Sequence, residues 1–245
     1  MAAAAQKVQD VQPLKIIVVG AGIAGLCTAV ALRQAGHNVE IFEKSKFATE
    51  VGAALALSPN GVLVLKSLGF DFERARARQM TCWETVHGDT LERINKTDLS
   101  NAEERFGAKL YAVHRIDLHK ELLRLALDDE GEGMPAILHL GSPVVKANVE
   151  EGSIELPDGS VHSADLIVGC DGLHSVLRSA ALELEGEPTS SGLSAFRFLA
   201  NTAELKKDAS IRKALEEWKA PGATILADTT DKVNERHAVW YDCQE

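Results

Sequence analysis

The segment GAGIAG at residues 20–25 constrains the fold more tightly than any other stretch of the sequence. It follows residues 14–19, LKIIVV, a continuous apolar run rich in β-branched residues, as is typical of a strand buried on both faces. Residues 23–35 have helical spacing and stop at Gly36, and residues 38–42 read as a second strand. The sequence therefore predicts a βαβ unit of about thirty residues whose first turn carries the glycines.

The glycines and one acid give this unit the pattern of a dinucleotide-binding site. Gly20 allows a tight turn out of the strand, Gly22 lets the backbone approach a pyrophosphate, and Gly25 lets the helix pack closely on the sheet. Glu43 falls at the carboxyl end of the second strand, where a carboxylate accepts hydrogen bonds from both ribose hydroxyls of an adenosine and repels a 2′-phosphate. This pattern favours FAD or NAD over NADP. The alternative is a glycine-rich turn beside a solvated glutamate.

A second segment, DLIVGCDGLHSVLR at residues 165–178, repeats the same plan of a buried strand, a sharp turn and a helix start. In a doubly wound sheet with the strand order 3-2-1-4, this strand lies beside the first one, and ligands bind in the crevice where the order reverses. Asp171 in the turn is then placed to cap the helix, hold a water on the phosphates or accept from a sugar hydroxyl. The alternative is that it only caps the helix.

The rest of the chain predicts further elements of an α/β fold. Two strands surround a turn at Gly88-Asp89, and a β-meander follows residue 142 with turns at Gly152 and Gly159. Other strands are predicted at 136–140, 193–200 and 237–241, and helices at 59–68, 116–128, 173–182 and 204–219.

Composition excludes several classes of protein. The net charge of −10 argues against a nucleic-acid partner and against an anionic membrane surface, and no apolar run approaches the length of a membrane span. The four cysteines are far apart in the sequence, which suggests free thiols in a reducing compartment such as the cytoplasm. The eight histidines show no metal-ligand spacing, so we expect no metal site.

The two glycine-containing motifs, together with EVGAALALSPNG at 50–61 and VHRIDLHKEL at 113–122, resemble the class A flavin-dependent monooxygenases, and in particular the salicylate-hydroxylase-like aromatic hydroxylases. The resemblance implies bound FAD, NAD(P)H as reductant, O2 as oxidant, and an aromatic or phenolic substrate, polyketide-derived compounds included. It also implies a Rossmann-like FAD-binding domain, with a parallel sheet and a β-meander, and a partial antiparallel substrate domain. The domains this predicts are a disordered tail at 1–13, the FAD-binding domain at 14–79 and 108–187, and the substrate domain at 80–107 and 188–245.

The resemblance assigns roles to individual residues. By position, the cofactor-binding residues are the loop glycines Gly20, Gly22 and Gly25, the ribose acid Glu43, Ala54 in a turn near the flavin, Arg115 before the crossover helix, and Asp171. Arg197 and Tyr241 match strands of the family's substrate domain and are the candidate catalytic residues, although the neighbouring Phe196 and Asp242 depart from the family pattern. The alternative for Arg115 is a surface arginine at a helix start, and for Tyr241 a half-buried strand aromatic.

A third family fingerprint, Gly-Asp followed by small residues and His-Pro, is not found, because the only Gly-Asp in the chain lies in the predicted hairpin. We therefore expect a truncated chain whose sheet has an unpaired edge, which an oligomer or a complementing chain would cover. Two other functions stay open: a non-catalytic chain that binds FAD or another dinucleotide, and an NAD-dependent oxidoreductase. The latter is disfavoured, because no Ser/Tyr/Lys or His/Asp set follows the βαβ unit.

Overall fold

A computed structural model describes residues 12–46, 52–183, 188–218, 222–230 and 236–243. Its strands are Lys15–Val19 (β1), Asn38–Glu43 (β2), Ala54–Leu57 (β3), Arg78–Met80 (β4), Cys82–His87 (β5), Arg93–Asp98 (β6), Leu110–His114 (β7), Ile137–Leu140 (β8), Lys146–Asn148 (β9), Ser153–Glu155 (β10), Val161–Ser163 (β11), Leu166–Gly169 (β12), Gly222–Ala227 (β13) and His237–Trp240 (β14). Its helices are Ile23–Gln34 (α1), Pro59–Ser67 (α2), Ala102–Phe106 (α3), Arg115–Leu127 (α4), Val176–Leu182 (α5), Thr202–Leu205 (α6) and Ala209–Trp218 (α7).

The chain forms two compact units. The first unit comprises residues 1–49 and 122–191, and the second comprises residues 50–121 and 192–245. The predicted division into FAD-binding and substrate domains stays a prediction. Most of the predicted tail, residues 1–11, lies outside the described residues. No helix in the described part of the chain is long and apolar enough to cross a membrane.

The first unit is built on a parallel sheet with the strand order β12-β1-β2-β8. Along the chain these are the fourth, first, second and third strands of the sheet, so the predicted order 3-2-1-4 is confirmed. Val19 at the end of β1 pairs with Gly169 at the end of β12. The two turns that the sequence singles out therefore leave the sheet side by side, at the point where the strand order reverses.

The central strand β1 is buried on both faces, as the sequence predicts, whereas the edge strands β8 and β12 are partly exposed, so the prediction of a second buried strand at 165–169 is wrong. The side chains of Ile16, Ile17 and Val18 are fully buried. Ile17 packs in a cluster with Phe42 and with Ile154 of the β9–β11 meander. Each such side chain contributes roughly 1.5–3 kcal/mol by leaving water, so these three residues of β1 together contribute about 5–9 kcal/mol.

A buried cation, Arg33 near the end of α1, ties the helix to the chain that leads into β8. Its guanidinium is fully buried and donates to the carbonyls of Leu125 at 2.8 Å, Asp128 at 2.9 Å and Gly133 at 2.9 Å. Because a buried charge is tolerated only when it is well hydrogen-bonded, these contacts fix the connection between α4 and β8.

The second unit contains a sheet of order β3-β7-β4 and a sheet of order β14-β13-β5-β6. The predicted hairpin is present as β5 and β6, with Gly88-Asp89 in its turn. The predicted final strand is present as β14, which pairs antiparallel with β13. The strands β3, β4, β7 and β13 and the helix α3 were not predicted.

Two predicted elements in this unit are wrong. Residues 193–200 form no strand, and they leave Phe196 97% and Phe198 83% exposed. An apolar sequence alone does not make a strand, because the strand also needs a partner for its backbone groups, and no described strand pairs with this segment. The helix predicted over 204–219 is instead α6 and α7. Asp208 separates the two helices because its carboxylate accepts from the N–H groups of Ser210 at 2.8 Å and Ile211 at 3.1 Å, and so starts a new helix.

Candidate functional site

Two of the three loop glycines are required by packing within the first unit. Gly20 has a φ of +101°, and a Cβ there would lie 2.4 Å from the carbonyl oxygen of Cys170. A Cβ on Gly25 would lie 1.8 Å from the carbonyl oxygen of Gly20. The N–H of Gly20 also donates to the carbonyl of Phe42 at 2.8 Å. The loop is therefore pressed between the ends of β2 and β12, and neither glycine can carry a side chain.

Gly22, the N-cap of α1, differs from Gly20 and Gly25 because a side chain at this position would meet no clash. Its backbone is extended, with φ −72° and ψ −177°, and a Cβ there would have no atom within 4 Å. Neither strain nor packing therefore explains a glycine at this position. The first N–H groups of a helix lack intrahelical partners and the helix dipole favours an anion there, and no acidic residue occupies the first turn of α1. A bare backbone at this point fits the close approach of a phosphate group.

Glu43 lies beside this loop at the end of β2 and is nearly buried. Its carboxylate accepts from the N–H of Ala21 at 2.7 Å through one oxygen and from the N–H of Ser45 at 2.7 Å through the other. These bonds fix the carboxylate and tie the glycine loop to the sheet. An ionised carboxylate has about four acceptor positions, so two remain for the hydroxyls of a ribose. The residues present thus fit the adenosine diphosphate half of a dinucleotide.

Asp171 organises the second turn of the first unit. One carboxylate oxygen accepts from the N–H groups of Val176 at 2.7 Å and Leu177 at 3.2 Å, and the other accepts from the hydroxyl of Ser175 at 2.5 Å. The hydroxyl oxygen of Ser175 in turn accepts from the N–H of Arg178 at 2.9 Å. Asp171 therefore caps the helix, which is one of the three roles that the sequence left open for it. The N–H groups that Asp171 accepts from lie five and six residues further along the chain. The helix α5 accordingly starts at Val176 and not at residue 173, where the sequence predicted its start. A contact of Asp171 with a cofactor stays a prediction.

Burial disfavours the thiolate form of the two cysteines near this site. Burial raises the pKa of Cys170, whose sulfur lies 3.9 Å from the hydroxyl of Thr28. Burial also raises the pKa of Cys27, as does its proximity to Cys170. A neutral thiol does not repel an anionic ligand, so the cysteines are compatible with a diphosphate at this loop.

In the second unit, the structure brings together three of the predicted residues. The N–H of Arg115 donates to the carbonyl of Ala53 at 3.0 Å, and the hydroxyl of Tyr241 donates to the carbonyl of Ala54 at 2.9 Å. Ala54 is the first residue of β3 and pairs with His114 of β7. The backbone of the Ala53–Ala54 turn is thus held by both of the other predicted residues.

The two candidate catalytic residues, Arg197 and Tyr241, both belong to the second unit. Arg197 is exposed and lies in the irregular segment 193–200. Burial raises the pKa of the Tyr241 phenol, and the charge of Arg197 opposes that increase, so the two groups are close enough to interact electrostatically. The catalytic role of both residues stays a prediction.

Sequence reasoning missed two functional contacts. Ser175 caps α5 together with Asp171, and a serine directly before a helical run is a signal that could have been read. The bond between Tyr241 and Ala54 joins residues 187 positions apart, and no local pattern in the sequence signals it.

Comparisons with known proteins identify the family. Residues 13–243 match the FAD binding domain family. Hispidin-3-hydroxylase from Neonothopanus nambi is 39% identical over 187 residues, which cover 76% of this chain and 44% of that enzyme. The 3-amino-4-hydroxybenzoate 2-monooxygenase from Streptomyces cremeus is 36% identical over 178 residues, which cover 69% of this chain and 42% of the enzyme.

Solved structures agree with this assignment. HpxO from Klebsiella pneumoniae, complexed with FAD and uric acid, aligns with a TM-score of 0.58 and 31% identity over 68% of this chain and 41% of its own. The tetrameric form of 2-methyl-3-hydroxypyridine-5-carboxylic acid oxygenase aligns with a TM-score of 0.67 over 95% of this chain and 56% of its own, and at 22% identity it supports the fold alone. The chain spans about half the length of the relatives that it matches. The predicted family is confirmed: the chain belongs to the FAD binding domain family of flavin-dependent monooxygenases.

Proposed function

We propose that this chain is the FAD-binding part of a monooxygenase that uses NAD(P)H and O2 to hydroxylate an aromatic or phenolic small molecule. The observation that carries the proposal is the bare backbone of Gly22 beside the fixed carboxylate of Glu43. No contact among the described residues requires a glycine at that position, whereas the close approach of a diphosphate would require one.

Bound FAD supplies the redox chemistry in this family, and the residues of the chain bind and orient it. The N–H groups at the start of α1 and the dipole of that helix hold the diphosphate. Glu43 accepts from the ribose hydroxyls and, through Ala21, keeps the loop in place. Asp171 shapes the neighbouring turn through its bonds to α5. In the second unit, the proposal assigns the Ala53–Ala54 turn and Arg115 to the flavin end of the cofactor.

The relatives support the proposed substrate class. Two of them are named as a hispidin-3-hydroxylase and a 3-amino-4-hydroxybenzoate 2-monooxygenase, and the structure of HpxO is a complex with FAD and uric acid. We extend that class, and not any one compound, to this chain. We also propose that the protein works in a reducing compartment such as the cytoplasm, in keeping with the free cysteines of the described residues.

We further propose that another chain, either a second copy or a complementing polypeptide, covers the edge strand β12, since β12 pairs only with β1 in the described sheet.

The test is incorporation of labelled oxygen. The chain is incubated with FAD, with NADH or NADPH, and with ¹⁸O₂ in the presence of a panel of phenols and hydroxybenzoates. The masses of the products are then determined by mass spectrometry. A monooxygenase adds a single ¹⁸O atom to the ring for each NAD(P)H oxidised. A variant that cannot bind FAD serves as the control for chemistry in free solution.

A second candidate is a chain that binds FAD without turning over a substrate. The exposed, irregular position of Arg197 favours it, because a catalytic cation is ordinarily held by its surroundings. NAD(P)H oxidation that yields only hydrogen peroxide, with every aromatic left unlabelled, would favour this candidate over a hydroxylase.

A further inference from the structure

The hydroxyl of Tyr241 donates a hydrogen bond to the backbone of β3. Tyr241 follows β14, and its ring packs beside a buried cluster of Met80, Ala112 and Ala223. From there its hydroxyl donates to the carbonyl oxygen of Ala54 at 2.9 Å. A phenol has one O–H to donate, so this bond uses the only proton that Tyr241 can give to a partner.

The position of that carbonyl in its sheet explains why it needs a donor from outside. In an antiparallel pair, residues alternate between those that exchange backbone hydrogen bonds and those whose backbone groups point away. The N–H of Arg115 bonds to the carbonyl of Ala53, so the next residue, Ala54, directs its carbonyl away from β7. β3 is an edge strand of its sheet, and Tyr241 supplies the donor on that open side.

The same turn is fixed on its other side. A Cβ on Gly52 would lie 2.8 Å from the side chain of Ile116, which leaves no room for the backbone to move toward α4. The start of α4 and β7 therefore hold residues 52–54 from one direction, and Tyr241 holds them from the other. Loss of the phenol hydroxyl releases only the second of these restraints.

We propose that Tyr241 is a positioning residue, which fixes the Ala53–Ala54 turn against the flavin end of FAD and does not itself react with the substrate. The inference rests on the proposed function, which assigns this turn to the flavin. It is an alternative to the catalytic role that the sequence predicts for Tyr241. It also predicts that Tyr241 matters for the flavin half of FAD and not for the adenosine half, which the first unit binds.

The test compares two ligands and two tyrosines in the 245-residue chain. Tyr241→Phe keeps the ring and removes the hydroxyl. Tyr111→Phe is the matched control, because Tyr111 lies on β7 in the same unit, stacks on Phe72 and is the only other tyrosine in the sequence. The affinities of FAD and ADP are measured by titration calorimetry for both variants and for the wild type. The visible spectrum of bound FAD at saturation is recorded as well.

We expect Tyr241→Phe to weaken FAD binding by up to about 10-fold, because at most the free energy of the one hydrogen bond that holds Ala54 is coupled to binding, while ADP binds unchanged. The flavin bands at saturation shift in this variant, whereas Tyr111→Phe matches the wild type in every measurement. Wild-type FAD affinity and spectrum in Tyr241→Phe would overturn the inference, and so would an equal loss of FAD and ADP, which indicates general destabilisation. A wild-type chain that binds neither ligand would overturn the proposed function itself, and this inference with it.

Discussion

Gly22→Ser is expected to weaken FAD binding while the free energy of unfolding stays the same or rises slightly. The substitution therefore separates the effect on ligand binding from the effect on folding. The backbone at this position is extended, and an added Cβ has no atom within 4 Å, so the folded chain accommodates serine. Serine is also a better N-cap than glycine. We therefore expect the free energy of unfolding to hold or to rise by about 0.3 kcal/mol.

Binding of FAD is expected to move the other way. A phosphate oxygen bound to an N–H of this turn lies about 2.7–3.2 Å from the nitrogen, in the space that the new side chain enters. The loss of one such charge-assisted hydrogen bond costs about 1.5–3 kcal/mol. The Kd for FAD should therefore rise about 10- to 100-fold.

The control for this prediction is Gly61→Ser in α2. The nearest atom to a Cβ at Gly61 is the hydroxyl oxygen of Ser58, 4.0 Å away, so this substitution is equally free of clashes. Each variant is titrated with FAD by calorimetry and unfolded with urea. Wild-type FAD affinity in Gly22→Ser would show that no phosphate group contacts this turn, and an equal loss of affinity in the control would show that the effect is not specific to it.

Three further predictions test the packing and charges around the site. Gly25→Ala would place a methyl group 1.8 Å from a backbone carbonyl oxygen, and we expect urea denaturation to show a loss of about 3 kcal/mol. Arg33→Met would leave three carbonyls without the donor that the buried guanidinium supplies and should also cost about 3 kcal/mol, with Arg33→Lys recovering only part of the loss in the same assay. Burial works to raise the pKa of Glu40, but hydrogen bonds from His139 and Lys15 outweigh it and hold the pKa below its ordinary value of 4.5. Because the folded state lowers this pKa, the stabilisation is present above pH 4.5 and is lost as the pH falls below it. Glu40→Gln should flatten that part of the pH profile of unfolding, and an unchanged profile would contradict the assignment.

The first unit could be predicted because its signals are local. The β1–α1–β2 unit is specified by a short apolar strand, three glycines and a helical run that are contiguous in the sequence. The place of β12 beside β1 followed from the repeated strand-turn-helix plan and from the rule for doubly wound sheets. The adenosine side of the candidate site, built around Gly22 and Glu43, comes from the same contiguous stretch.

The second unit could not be predicted to the same extent, because its elements depend on distant partners. Residues 193–200 have a strand-like sequence, but strand formation depends on a neighbour that no local pattern specifies. The break at Asp208 shows a side chain competing with the helix for its backbone N–H groups. Tyr241 was predicted from a short motif, whereas its contact with Ala54 depends on the pairing of β3 with β7 and of β14 with β13.

We propose that the loop between β1 and α1 binds FAD through the adenosine diphosphate half of the cofactor. The most direct measurement is a fluorescence titration of the chain with FAD, followed by displacement with ADP. We predict saturable binding at one site per chain and complete displacement of the flavin by ADP. Binding that does not saturate, or a bound flavin that ADP cannot displace, would contradict the account.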